Sequence, residues 1–164
     1  PRISLSQENM DTFLEACTHG RLISIIRDHK NWLPSAIRHN PKMYGEINQA
    51  SDQWLDSANS MVENKSRYGN RVCIITFEDL VQRTDTVMHY LAKFLNIKFD
   101  PILLIPTFNK APVQPNTSFK LQKTGIVPGV AEGCEPLSSE QLDMIEEKTG
   151  DMYNQVLKQA HCLS

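Results

Sequence analysis

Two short runs of aliphatic, mostly β-branched residues constrain the fold of this chain more than any other feature. They cover residues 22–26 and 72–77, and each is bounded by polar or turn-forming residues. A nearly continuous apolar run of this length is typical of a strand buried on both faces of a parallel sheet. Amphipathic helical patterns lie before, between and after the two runs. Strands that alternate with helices predict an α/β fold, with a parallel sheet covered by helices on both faces.

The helical patterns divide the rest of the chain. Periodic apolar residues predict helices over about 6–18, around Trp32 to Ile37, over about 45–62, from Glu78 to about residue 95, and from about Ser138 to Leu157. Pro34 is tolerated in the second of these only within a first turn. Residues 64–70 are polar and predict a turn, whereas the prolines spread over residues 100–136 predict a long, largely irregular loop.

Composition sets the class of protein. The chain has 164 residues, a length typical of one domain, and 40% of them are hydrophobic, which suffices for a globular core. This excludes a disordered chain, a collagen and a disulfide-stabilised miniprotein. The net charge of -2 leaves no basic excess to drive binding to nucleic acid or to an anionic membrane. No apolar run approaches the length of a membrane span.

The cysteines indicate neither a metal site nor a disulfide framework. Cys17, Cys73, Cys134 and Cys162 are scattered, and no C-x-x-C pair occurs among them. Zinc ribbons and redox motifs need closely spaced ligands, so we expect no metal and four reduced, mostly buried thiols. Reduced thiols without a leader segment indicate the cytoplasm.

The residues that follow the two predicted strands suggest an anion-binding site. Ligands of open α/β sheets bind beyond the carboxyl ends of the strands, and Arg27 follows the first strand there. Its guanidinium is suited to an oxyanion, and the hydroxyl of Ser35 and nearby free N–H groups, in the first turns of the next helix, would reach the same anion. The alternative is that Arg27 pairs with Glu78 or Asp79 and that Ser35 is solvated.

Other side chains near this site have competing interpretations. Lys120 and Lys123, in the proline-rich loop, either reach over a bound phosphate or are simply solvated. His29 is adjacent to the predicted site but is not expected to be catalytic. Trp32 either belongs to the core or stacks on an adenine.

Residues 25–35 resemble the I-R-D-P-x-x-x-x-x-S segment of the sulfotransferases that use 3'-phosphoadenosine 5'-phosphosulfate (PAPS). Arg27 and Ser35 match the Arg and Ser that hold the 3'-phosphate of the donor in that family, and His29 replaces the family Pro. Further matches follow in the family's order: residues 75–80 resemble its x-Y-E-D-L strand end, 94–97 its F-L-G-I helix end, 112–119 the N-S-S-F loop of bacterial and Golgi-type members, and 137–145 the start of its terminal helix.

The resemblance implies a three-layer αβα parallel sheet of the P-loop-hydrolase kind. It implies transfer of a sulfuryl group from PAPS to a hydroxyl or amine acceptor, either a carbohydrate or another small molecule, with no metal. Arg27, Ser35, Lys120 and Lys123 are the candidate donor-binding residues. A eukaryotic member would lie in the Golgi lumen.

The resemblance also implies that part of the domain is missing. None of the seven glycines lies in the strand–loop–helix context of the family's 5'-phosphosulfate loop, and the resemblance assigns no catalytic residue. We therefore expect residues 1–164 to be the C-terminal portion of a single sulfotransferase domain, whose other half comes from further residues or from a partner chain, as in a homo-oligomer. The alternative function is a non-catalytic nucleotide-binding or interaction domain. A nucleotide kinase is disfavoured because no G-x-x-x-x-G-K-[ST] motif occurs.

Overall fold

The computed structural model describes residues 7–108, 111–113 and 137–161. These residues form a mixed α/β structure that is mostly helical and contains a small parallel sheet. The elements in chain order are α1 (Gln7–Ala16), β1 (Leu22–Ile26), α2 (His29–His39), α3 (Pro41–Tyr44), α4 (Ile47–Tyr68), β2 (Val72–Thr76), α5 (Phe77–Gln82), α6 (Thr84–Leu95), β3 (Thr107–Phe108), β4 (Ala111–Pro112) and α7 (Ser139–Gln159).

The two predicted strands pair with each other. β1 and β2 are parallel and in register from Leu22 opposite Val72 to Ile26 opposite Thr76. Because both strands end at the same level, the residues that follow them leave the sheet side by side. The register therefore brings the turn after β1 next to the first turn of α5.

β2 is buried on both faces, as its sequence predicts. All five of its residues are buried. One face, which includes Val72 and Ile74, packs on α4 and α7 in a cluster with Trp54, Ala58 and Val156. The other face packs on α6, where Cys73 and Ile75 contact Val87 and Leu91. Helices thus cover both sides of this strand.

β1 differs from its prediction. Ser24 and Ile26 are buried, but Ile23 is 37% exposed and Ile25 is 46% exposed on the opposite face. The prediction of burial on both faces is therefore wrong for this strand. The reason is that α6 packs against β2, and no element of the described residues extends far enough to cover the second face of β1.

α2 begins earlier than its apolar periodicity predicts. Asp28 is its N-cap, and the Asp28 side chain accepts a hydrogen bond from the N–H of Asn31. Because the helix starts at His29, Pro34 lies inside it and not in the first turn, contrary to the prediction.

Two other boundaries also differ. Residues 64–68 continue α4 instead of forming a turn, and the helix ends only at Gly69, whose φ of +53° suits glycine. The helix predicted from Glu78 to about residue 95 is two helices, because the chain breaks at Arg83 between α5 and α6.

The terminal helix confirms its predicted start. Ser138 is the N-cap of α7 and forms a capping box with Gln141. After the helix, the N–H of His161 donates to the carbonyl of Ile74, 2.8 Å away. This contact places the chain beyond α7 against the edge of β2 that faces away from β1.

The cysteine prediction holds only in part. Cys73 is buried, but Cys17 is exposed; Cys134 and Cys162 lie outside the described residues. Burial raises the pKa of Cys73, and burial together with the Cys73 thiol raises the pKa of Tyr90 to about 12. Both groups are therefore protonated at neutral pH.

Candidate anion-binding site

The turns after the two parallel strands are locked together by hydrogen bonds. Glu78, in the first turn of α5, accepts the N–H of Asp28 on its Oε1 at 3.2 Å. Asp28 in turn caps α2 through its own carboxylate, which accepts the N–H of Asn31 at 3.1 Å. These contacts hold the segment that carries Arg27 in a fixed position at the carboxyl end of the sheet.

The Arg27 side chain lies over an aromatic ring and has no acidic partner among the described residues. Its Cζ is 5.0 Å from the centroid of the Phe77 ring, a cation–π distance. Its Nε is buried and has no hydrogen-bond partner among the described residues. Glu78 and Asp79 make other contacts, with Asp28 and with Arg83 respectively. The alternative in which Arg27 pairs with either acid is therefore not what the structure contains.

The main chain of Arg27 is held by a hydrogen bond from α4. Trp54, on α4, donates its indole Nε1–H to the carbonyl oxygen of Arg27 at 3.1 Å. Trp54 is only 3% exposed, and it packs in the same core cluster as Ile26. The position of Arg27 is thus tied to the core of the protein.

Ser35 is buried, which contradicts the alternative that it is solvated. It is 7% exposed, and its hydroxyl donates to the carbonyl of Asn31 at 3.3 Å. It also lies beyond the first turn of α2, where the helix uses its own N–H groups. Near the start of the helix, the N–H groups of Asp28 and Asn31 are taken by carboxylates. No hydrogen bond joins Ser35 to Arg27 in the described part of the chain.

The Ser35 hydroxyl nevertheless remains adaptable. A hydrogen bond of 3.3 Å from a hydroxyl is longer than usual and is correspondingly weak. The role of Ser35 in anion binding stays a prediction.

His29 is a structural residue here. It is 2% exposed, and its ring packs edge-on against the rings of Trp54 and Tyr153. Its Nε2 lies 3.2 Å from Oε2 of Glu146 on α7, which also binds Nζ of Lys30 at 2.7 Å. The buried imidazole therefore connects the start of α2 to the terminal helix.

Of the remaining candidate residues, the structure describes only Trp32. Lys120 and Lys123 lie outside the described residues, so their predicted role stays a prediction. Trp32 packs edge-on against Tyr44, with ring centroids 5.5 Å apart, and borders the core clusters. That environment is the one expected of a core residue.

A second basic region lies at the opposite end of the sheet. A cavity of about 290 Å³ is lined there by Thr18, His19, Gly20, Arg21, Asn70, Arg71, Leu95 and Asn96. The Arg71 guanidinium already donates to the carbonyls of Leu14, Cys17 and Gly20. Arg21 lies over the ring of Phe94, 5.2 Å from its centroid. Arg71 is thus engaged by the protein itself, unlike Arg27.

The described ranges contain neither a metal-binding cluster nor a membrane-spanning helix. No group of three or more His, Cys, Asp or Glu side chains is arranged to hold a metal ion there. No helix of those ranges has the length and apolar character needed to cross a membrane.

Comparison with known proteins supports the fold. No protein-family model matches the chain, and no curated protein matches it significantly. Among solved structures, the chain is similar to the sulfotransferase domain from the curacin biosynthetic pathway, with a TM-score of 0.63 and 20% sequence identity. The match covers 92% of this chain and 60% of that structure. The chain therefore has a sulfotransferase-like fold and spans somewhat over half the length of the domain it matches.

Two contacts that hold the residues of this site in place are not predicted from the sequence. Trp54 lies in the core, but nothing in the sequence predicts its bond to Arg27, and Glu146 is not among the predicted site residues. The partners are 27 residues apart for Trp54 and Arg27, and 117 residues apart for Glu146 and His29. No periodicity or short motif reports contacts between such distant residues.

Proposed function

We propose that this chain forms the 3'-phosphate-binding part of a PAPS-dependent sulfotransferase domain. The observation that carries the proposal is Arg27: a guanidinium at the carboxyl end of a parallel strand, held by its neighbours, with a buried Nε that lacks a partner among the described residues. The order of the sequence motifs and the sulfotransferase-like fold support the same conclusion.

The proposed reaction is an in-line transfer. The acceptor oxygen or nitrogen forms a bond to sulfur while the bond from sulfur to the bridging phosphate oxygen breaks, and 3',5'-adenosine diphosphate leaves. A base takes the proton of the acceptor, and positive groups stabilise the leaving phosphate. In this scheme Arg27 holds the 3'-phosphate, Ser35 exchanges its helix bond for one to the same group, and Lys120 and Lys123 approach from the loop.

The proposal also extends to the whole domain. The matched motifs belong to the later part of the family domain, so the 5'-phosphosulfate loop and the catalytic base would be contributed by residues other than those matched here. In the complete domain the two strands would belong to a larger three-layer sheet. The acceptor would be a hydroxyl or amine compound.

Ligand titration tests the donor-site proposal. We expect the chain to bind 3',5'-adenosine diphosphate more tightly than 5'-AMP, because only the former carries a 3'-phosphate. Arg27→Ala should weaken binding of the diphosphate about 10- to 100-fold, as expected for loss of a charge-assisted hydrogen bond worth about 1.5–3 kcal/mol. Isothermal titration calorimetry measures both affinities.

Arg67→Ala is the matched control. Arg67 lies in the last turn of α4 and pairs with Asp11 at 2.8 Å, so its removal deletes a guanidinium elsewhere. This variant should retain wild-type affinity. Equal binding of the two nucleotides, or equal losses in the two variants, would contradict the proposal. A full-length protein with the expected nucleotide preference and no sulfuryl transfer would instead indicate a non-catalytic binding domain.

A further inference from the structure

Two buried polar atoms of opposite character lack partners at the carboxyl end of the sheet. One is Nε of Arg27 and the other is Oε2 of Glu78, and neither has a hydrogen-bond partner among the described residues. The in-register ends of β1 and β2 place the two residues on adjacent turns, and the bond from Asp28 N–H to Oε1 of Glu78 holds these turns together. Buried polar atoms are normally satisfied, so this pair needs an explanation.

The two side chains do not satisfy each other because each is held by another contact. The Arg27 guanidinium lies over the Phe77 ring, and one oxygen of the Glu78 carboxylate accepts the Asp28 N–H. The neighbouring acids are also engaged, since Asp28 caps α2 and Asp79 pairs with Arg83. A ligand that carries an acceptor for one atom and a donor for the other would satisfy both.

The chemistry of the two atoms defines that ligand. Arg27 offers an N–H donor and a positive charge, and therefore needs an anionic acceptor. The free oxygen of Glu78 accepts only, and therefore needs a donor. A bare phosphate offers acceptors and would be repelled by the carboxylate. A phosphate on one sugar carbon with a hydroxyl on the next carbon supplies both groups a few ångströms apart.

We propose that Glu78 is a specificity-determining residue that accepts a hydrogen bond from the hydroxyl next to the phosphate held by Arg27. For a 3'-phosphorylated nucleotide this hydroxyl is the ribose 2'-OH. The inference rests on the proposed function, because it assumes that Arg27 binds the 3'-phosphate. Glu78 then selects ribonucleotides against their 2'-deoxy counterparts.

The test compares 3',5'-adenosine diphosphate with 2'-deoxyadenosine 3',5'-diphosphate by calorimetric titration. The wild-type chain should bind the ribonucleotide about tenfold more tightly, as expected for one hydrogen bond to a charged group. In Glu78→Gln the amide oxygen remains bonded to the Asp28 N–H, which leaves an NH₂ group at the position of the free oxygen. An NH₂ group cannot accept a bond, so the preference should fall to about one.

The control is Asp79→Asn, which makes the same charge change on the adjacent residue. Asp79 bonds to Arg83 at 2.6 Å and forms no ion pair with Arg27 in the described structure, so this variant should keep the preference for the ribonucleotide. The measured quantity is a ratio of two affinities in one protein. If Glu78 had only a structural role, Glu78→Gln would lower the affinity for both nucleotides equally and would leave their ratio unchanged.

The outcomes separate the two proposals. Equal affinity of wild type for the two nucleotides, with both dependent on Arg27, would overturn the role of Glu78 and leave the 3'-phosphate site intact. A preference that survives in Glu78→Gln would also overturn it. If neither nucleotide binds in an Arg27-dependent way, the proposed function itself is overturned. The wild-type ratio needs no variant, so the test stands even if Glu78→Gln does not fold.

Discussion

Arg27 illustrates how a single charged side chain is prepared for a ligand. Its carbonyl is bonded to Trp54, its guanidinium is placed over Phe77, and no acid neutralises it in the described structure. A guanidinium that is already held in its binding position loses little conformational entropy when a ligand binds. The contacts of this one residue therefore connect the core of the protein to the proposed phosphate site.

The bond between Trp54 and Arg27 predicts the effect of a small change. Trp54→Phe retains an aromatic ring against His29 and Tyr153 but leaves the Arg27 carbonyl without its donor. We expect a loss of about 1–3 kcal/mol in the free energy of unfolding and a severalfold weaker affinity for 3',5'-adenosine diphosphate. Urea unfolding and calorimetry measure the two effects.

Trp32→Phe is the corresponding control, since Trp32 packs on Tyr44 and makes no hydrogen bond to Arg27 in the described structure. It should leave the nucleotide affinity unchanged. If Trp54→Phe also leaves that affinity unchanged, the Trp54 bond does not position Arg27.

At the scale of elements, charged and polar side chains connect the start of α2 to α7. Glu146 on α7 binds both His29 and Lys30 on the first turn of α2. The hydrogen bond from Lys30, followed by that from His29, holds the pKa of Glu146 below its ordinary value of 4.5. Because the carboxylate is favoured in the folded state, this contact stabilises the fold above about pH 4.5 and is lost as the pH falls through the lowered pKa.

Glu146→Gln should therefore be less stable than wild type at neutral pH, with a difference that shrinks toward zero as the pH is lowered below about 4.5. The effect should be small, because the Lys30 and Glu146 side chains are 41% and 50% exposed. Urea unfolding from pH 3 to 7 measures it. Glu147→Gln changes an exposed neighbour on the same helix and should show no such dependence; an equal dependence in both variants would contradict the assigned contact.

The elements also show which parts of the fold are encoded locally. The β1 and β2 runs and the Ser138 cap were predictable because each signal lies within a few residues. The apolar periodicity places the start of α2 too late because it does not report the Asp28 cap. Asp28 and Asn31 nevertheless have the spacing for that bond. Partners in space were not predictable for a different reason. Nothing in the local pattern indicates that Glu146 meets His29, which lies 117 residues away in the sequence.

At the scale of the whole molecule, the sheet is covered unevenly. β2 lies between helices on both faces, whereas one face of β1 is open in the described structure. Ile25 and Ile75 are directly opposite each other in the register, yet Ile25 is 46% exposed and Ile75 is 2% exposed. The two positions therefore share their residue type and their level in the sheet and differ in burial.

Alanine substitutions at the two positions should differ accordingly. Ile75→Ala should destabilise the fold by about 2–5 kcal/mol, as is usual for a buried isoleucine, and Ile25→Ala by less than about 1 kcal/mol. Urea unfolding of the two variants measures the difference. Equal losses would show that the open face of β1 is covered in solution, as it would be in a larger sheet or in a homo-oligomer.

The structure of this chain bound to 3',5'-adenosine diphosphate tests the central claim most directly. We expect an oxygen of the 3'-phosphate about 3 Å from a guanidinium nitrogen of Arg27, at the carboxyl ends of β1 and β2. The competing location is the cavity beside Arg21 at the opposite end of the sheet. A nucleotide bound there, or anywhere with Arg27 uncontacted, would contradict the account.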